Sequence, residues 1–237
     1  MEQTDEILLN KILECDSNTS NVFKYLELGL YPVRFEIMKR KIVFLQYILK
    51  QKKDSMIFQV FKATCDSPIK NDFMEVCNKY LKILDINLSL EEIENLSSWR
   101  FKRLVKTKTN VAAYKYLIEE KNKQSKICTI QFRDLKIKDY LFEGNVNTKV
   151  SKFVFKARSK NLDIKLFKKW KYTDKLCTGC GENEDSESEL ITCKGFGENE
   201  KFTYDMLYSD STQEIVLVAK YLMKRLKVRQ KLIEEIT

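Results

Sequence analysis

A chain of 237 residues with 43 Lys and Arg against 34 Asp and Glu carries a formal net charge of +9, with seven cysteines and no histidine. That length can bury a real core, as one large or two small domains. The acidic start Met1-Glu2-Gln3-Thr4-Asp5-Glu6 is no signal peptide, no apolar run approaches the ~18 residues of a membrane span, and the usual general base of catalysis is missing. These exclusions point to an intracellular protein, nuclear or cytoplasmic, with reduced thiols and a polyanionic partner. Only two prolines and six glycines favour long helices with few tight turns.

In chain order, Ile7, Leu8, Ile12 and Leu13 recur at helical spacing and predict a helix over 4–15, with Thr4 able to cap it. A polar turn at 16–20 leads to a short helix over 21–28, which Gly29 ends. Pro32 sits where a first helical turn tolerates it and opens a long helix to about residue 51. Its cations Arg34, Lys39, Arg40 and Lys41 read as a solvated face. Helices over 54–65 and 71–85 follow. Ser89 and Glu92 form a capping-box pattern that starts a short helix to about Leu96. The next helix, over 98–121, is basic in its first half (Arg100, Lys102, Arg103, Lys106, Lys108), and Leu104, Val111 and Ile118 mark its expected buried stripe.

The period changes at Ile127-Cys128-Thr129-Ile130-Gln131-Phe132, which reads as β-like. A loop at 144–147 precedes a helix over 148–160 that buries Val150, Phe153, Val154 and Ala157. Between Lys149 and Lys175 ten Lys or Arg face two acids, and Phe167, Trp170 and Tyr172 interleave with them. Cations mixed with aromatics suit phosphate binding and base stacking, although such aromatics also serve as core anchors. The sign inverts over 182–200, an acidic stretch that faces water or folds against the basic segment. A second capping box, Ser211 to Glu214, opens the last helix. That helix is apolar at Ile215, Val218, Leu222, Leu226, Leu232 and Ile236, and basic at Lys220, Lys224, Arg225, Lys227, Arg229 and Lys231. It suits docking on one side while the other side is offered to phosphate.

Chemistry concentrates in Cys177-Thr178-Gly179-Cys180-Gly181 and in Cys193. Two cysteines two apart, followed by a glycine able to take positive φ, form a turn that aims both sulfurs at one point. Cys193 can close the loop onto the same ion, and Glu189 is the nearest oxygen donor for a fourth bond. The alternative is three ordinary reduced thiols. A redox pair would want a strand before it and a helix starting at it, whereas lysines precede this pair and acids follow it.

Asp5 to Leu13, Tyr25 to Gly29, Pro32 to Phe35, Arg40 to Leu45, Phe155 to Ser159 before Cys177-x-x-Cys180, and Glu187 to Cys193 stand in a revealing order. Together they resemble the region that follows the polymerase core in non-LTR retrotransposon reverse transcriptases, over roughly residues 5–195. The resemblance implies thumb and linker helices, a Cys-Cys-His-Cys zinc knuckle, and a surface that holds RNA or DNA beside a polymerase core. This chain has Glu189 where the family has histidine, and no adjacent aspartate pair to hold the polymerase metals.

The resulting expectation is a mainly α protein: a bundle-like helical array, a small zinc-knuckle-like loop and a long C-terminal helix. Its segments are 1–125 (thumb- and linker-like), 126–205 (basic segment and knuckle) and 206–237 (amphipathic basic helix). The expected activity is non-catalytic binding of RNA or DNA, with no catalytic residue and a reverse transcriptase core on another chain as a possible partner. Zinc would sit on Cys177, Cys180, Cys193 and Glu189. Nucleic acid would contact Lys149, Lys152, Lys156, Arg158, Lys165, Lys168, Lys169, Trp170 and Lys171. The competing expectation is a protein-interaction module whose basic helices dock an acidic partner, with the knuckle as a structural staple.

Overall fold

A computed structural model describes residues 2–13, 15, 19–66, 72–142, 146–167, 171–172, 174–198 and 201–236. Among them the regular structure is helical and no strand forms. Ten α-helices follow one another: α1 Glu2–Leu13, α2 Asn21–Glu27, α3 Val33–Leu49, α4 Met56–Asp66, α5 Asp72–Ile83, α6 Leu90–Asn95, α7 Ser98–Asn122, α8 Thr148–Arg158, α9 Glu187–Thr192 and α10 Thr212–Ile236. None is long and apolar enough to cross a membrane. The chain divides into two compact units, 1–5 with 30–120 and 6–29 with 121–237, so one boundary falls close to residue 125 and none near 205. The helix pair α1–α2 therefore belongs chiefly with the C-terminal half, and α10 is part of a larger body.

In the first unit α3, α5, α6 and α7 enclose one core, with Ile42, Leu45, Leu81, Ile93, Phe101 and Val105 at its centre. The capping box at α6 forms as expected: the Ser89 hydroxyl accepts from the Glu92 amide, and the Glu92 carboxylate accepts from the Ser89 amide at 2.7 Å. Gln46, buried on α3, donates to the carbonyls of Ile93 and Leu96 at 2.9 and 3.0 Å, so the orphan carbonyls at the end of α6 tie that helix to α3. The buried row of α7 is Phe101, Val105, Thr109, Ala113 and Leu117, every fourth residue. Val111, expected in the stripe, is 59% exposed. A spacing of seven picked out a flanking row, because Thr109 and Ala113 are too weakly apolar to mark the true one.

In the second unit α2 is wrapped on most sides. Phe23 packs against Phe132 and Phe155, with ring centroids 6.0 and 5.3 Å away. The helix α10 lies on α8 and α9, burying Ile215, Val218, Ala219 and Leu222. The stretch 127–132 corrects the β-like expectation. Ile127, Ile130 and Phe132 are buried, but the backbone runs through turns without a ladder. Its carbonyls find a side chain instead: the Lys121 ammonium donates to Cys128 O at 2.8 Å and Ile130 O at 2.6 Å.

Candidate metal centre and the helix that braces it

The knuckle begins with a narrow antiparallel turn. Leu176 bridges Glu184, the Cys177 amide donates to Asn183 O at 2.6 Å, and the Gly181 amide donates to Cys177 O at 2.8 Å. Gly181 takes φ +71°, the left-handed value expected of it. Ser186 then caps α9, its hydroxyl accepting from the Glu189 amide at 3.2 Å. That short helix carries Glu189 back toward the turn and delivers Cys193 at its C-terminal end, where the Cys193 amide donates to Glu189 O at 2.9 Å. The second crossing is tight: a Cβ on Gly195 would stand 2.2 Å from Gly179 O, so only glycine fits where the two backbones meet.

Three sulfurs and a carboxylate oxygen converge as a result. The ligand atoms of Cys177, Cys180, Glu189 and Cys193 all lie within 4.8 Å of one another, a set that could hold a metal ion. Cys177 Sγ and Cys193 Sγ are 3.7 Å apart, and Cys180 Sγ is 3.3 Å from Glu189 Oε1. The second carboxylate oxygen accepts from Asn183 Nδ2 at 3.2 Å, which fixes the orientation of Glu189. Cys177 and Cys193 are buried while Cys180 lies at the solvent edge. Burial pushes the Cys193 thiol up to about 12 and raises Cys177 as well. A cation among the sulfurs reverses that preference, since the thiolate is the metal ligand and binding releases the proton.

No family model, curated protein or solved structure matches this chain.

Two arginines of α10 hold the knuckle from beneath. Arg225 donates from Nε to Leu190 O at 2.6 Å and from Nη1 to Gly197 O and Glu198 O at 3.0 and 3.2 Å, while Nη2 reaches Cys193 O. One guanidinium thus gathers the carbonyls around the last cysteine. One turn on, Arg229 pairs with Asp185: Nη2 stands 2.6 Å from Oδ2 and Nε 3.3 Å from Oδ1, with Nη1 on Asp163 O at 2.8 Å. Both members of that pair are at most 1% exposed, and Asp185 also accepts from the Lys165 amide at 2.7 Å. These arginines correct the expectation that they face phosphate. Asp185, expected in an acidic stretch that meets water or the basic segment, is the buried anchor of the turn.

Arg158 is corrected in the same way. Assigned to nucleic acid, it is 4% exposed at the end of α8, where Nε and Nη2 meet Glu27 Oε1 at 3.0 and 2.9 Å and Nη1 donates to Leu207 O at 2.5 Å. Tyr140 donates to Glu27 Oε2 at 2.5 Å; burial, then the adjacent Glu27 charge, pushes that phenol well above its ordinary range. Of the other expected contacts, Lys149 and Lys156 are exposed on α8 and Lys152 is half-buried there. Lys165 pairs with Asp174 at 2.6 Å and Lys171 with Asp163 at 2.7 Å. Lys168, Lys169 and Trp170 lie outside the described residues.

The far side of α10 keeps the cations that the sequence offered to phosphate, without the two arginines. Lys220, Lys224, Lys227 and Lys231 recur at four, three and four residues and all are exposed. They form a single row on the face of α10 opposite Arg225 and Arg229. None of them makes an ion pair with a described residue. The signal was present in the spacing: cations on the apolar face are structural, and those on the far face are free.

Proposed function

We propose that this chain is a non-catalytic nucleic-acid-binding protein in which a zinc knuckle braces a basic helix. The observation that carries the reading is the division of α10: its arginines bind the knuckle, and its lysines stand in an unpaired row on the other side. Four lysines within three turns present charge over roughly 16 Å at 1.5 Å per residue, a track suited to consecutive phosphates. Zinc fits the donor set, because three thiolates and one carboxylate suit a borderline-soft ion that takes four ligands. A tetrahedron with Zn–S bonds of about 2.3 Å has sulfur–sulfur edges of about 3.8 Å, against 3.7 Å between Cys177 and Cys193. The resemblance to the post-polymerase region of retrotransposon reverse transcriptases supports the same reading, with RNA or DNA as ligand and a polymerase core on another chain as partner.

The test compares two quadruple glutamine variants of equal charge by fluorescence anisotropy on labelled RNA and DNA. One changes Lys220, Lys224, Lys227 and Lys231; the other changes the scattered exposed lysines Lys126, Lys175, Lys194 and Lys201. The row variant loses most of the affinity and the scattered variant little. Equal losses would show bulk charge alone, and no binding by the wild type would overturn the function.

A further inference from the structure

The first unit contains a groove between α3 and α7 of about 600 Å3. Val43, Phe44 and Tyr47 form its floor, and no acidic side chain lines it. Phe44 and Tyr47, one turn apart on α3, lie nearly parallel, with ring centroids 5.9 Å apart and planes inclined by 16°. Both residues are exposed, at 48% and 50%. Phe44 also meets Phe73 edge-on at 6.1 Å, so the rings belong to one contiguous apolar patch, and an exposed apolar patch rimmed by polar residues marks an interaction site.

The rim says what kind of partner that is. Lys50, just past the end of α3, lines the groove with Lys102 and Lys106 from α7, and none of the three makes an ion pair with a described residue. Lys102 and Lys106 are four apart, so both project into the groove from one helix face. At the far end Lys39 and Arg40 share Glu36, which leaves a net positive charge there too. An acidic peptide would match the cations but has no use for two oriented ring faces. A duplex would match the cations but keeps its base faces stacked internally. Unpaired bases on a phosphate backbone satisfy both features, because every base has a face that stacks on an aromatic ring.

We propose that this groove binds a single-stranded polynucleotide, with bases stacking on Phe44 and Tyr47 and phosphates meeting Lys50, Lys102 and Lys106. The proposal rests on the nucleic-acid reading above and adds a second site with a different preference. The lysine row of α10 reads backbone charge alone, whereas the groove selects unpaired bases.

The test measures anisotropy of a labelled 12-nucleotide oligouridylate and of a 12-base-pair duplex, on the full chain loaded with zinc. Tyr47→Ala weakens single-strand binding by about 5- to 150-fold, the loss of one base stack, and leaves duplex binding unchanged. Lys102→Gln with Lys106→Gln alters only exposed or rim positions and lowers the slope of log affinity against log salt by about 0.7 per lost phosphate contact. That double variant keeps the test decisive if Tyr47→Ala disturbs α3. Ultraviolet crosslinking of the bound oligouridylate places the adduct on the peptide containing Phe44 and Tyr47. Single-strand affinity that survives both variants overturns the groove while leaving the α10 reading intact. Wild-type protein that binds neither probe overturns both. A polyglutamate peptide that binds the groove with equal dependence on Tyr47 overturns the assignment in favour of a protein partner.

Discussion

Replacing Arg229 by methionine removes the cation that faces Asp185 while keeping most of the buried volume. In the native protein Asp185 is 0% exposed and receives two guanidinium bonds and one amide bond. In the variant a carboxylate remains buried with the Lys165 amide alone. Removing one partner of a buried pair costs about 3–5 kcal/mol, and at about 2–4 °C per kcal/mol for a chain of this size the melting temperature falls by about 6–20 °C. Thermal unfolding followed by circular dichroism measures this, and zinc affinity should fall in parallel because Asp185 anchors the turn that carries Cys177 and Cys180. Adding Asp185→Leu to Arg229→Met recovers most of the loss, since two apolar groups can fill the space that the ions held. Lys231→Met, on the open face of the same helix, serves as the control and changes little. A loss below about 1 kcal/mol for Arg229→Met would show that Asp185 is not a buried anion, because a pair of this burial is otherwise expensive to break.

Three further predictions follow from local geometry. Glu189→His tightens zinc binding, because a neutral imidazole suits a thiolate-rich site better than a carboxylate; competition with a chromophoric chelator measures it, and unchanged affinity would remove Glu189 from the ligand set. Gly195→Ala lowers both zinc affinity and melting temperature, since the added Cβ meets Gly179 O at 2.2 Å; a variant that binds zinc normally would contradict the tight backbone crossing. Glu36 tests pH: burial alone would raise its carboxyl, but bonds from Lys39 and Arg40 hold it down at about 2. Its contribution is therefore complete above the ordinary carboxylate range and is lost as pH falls from about 4.3 toward 2. The urea midpoints of wild type and Glu36→Gln should converge over that range, and a constant gap would refute the pairing.

Capping and turn signals carried over from sequence to structure, while the β-like run at 127–132, the stripe through Val111 and the remote pairings did not. The capping box at Ser89, the helix opened by Pro32 and the positive φ of Gly181 each depend on a few adjacent residues. At Ser211 only half of the expected box forms, its hydroxyl accepting from the Glu214 amide while the Glu214 carboxylate accepts from the Ser209 hydroxyl at 2.5 Å. The cluster of Cys177, Cys180, Glu189 and Cys193 was legible for the same reason, because one turn and one short capped helix bring it together. The buried ion pairs were not. Arg229 meets Asp185 across 44 residues and Arg158 meets Glu27 across 131, and nothing in the spacing of either arginine announces its partner. All three buried arginines therefore read as phosphate ligands. Net charge counts cations without saying which are already neutralised inside. On α10 the helical period did hold that information: Arg225 and Arg229 share the side of Val218 and Leu222, and the four lysines do not.

The central claim is that the lysine row of α10 contacts phosphates directly, and the salt dependence of binding tests it most directly. Affinity for single-stranded RNA is measured from low to physiological salt for the wild type and for Lys220→Gln, Lys224→Gln, Lys227→Gln and Lys231→Gln combined. Each lost phosphate contact reduces the slope of log affinity against log salt by about 0.7, so the combined variant should be shallower by up to about 2.8. A slope that stays at the wild-type value after all four charges are removed would contradict the account.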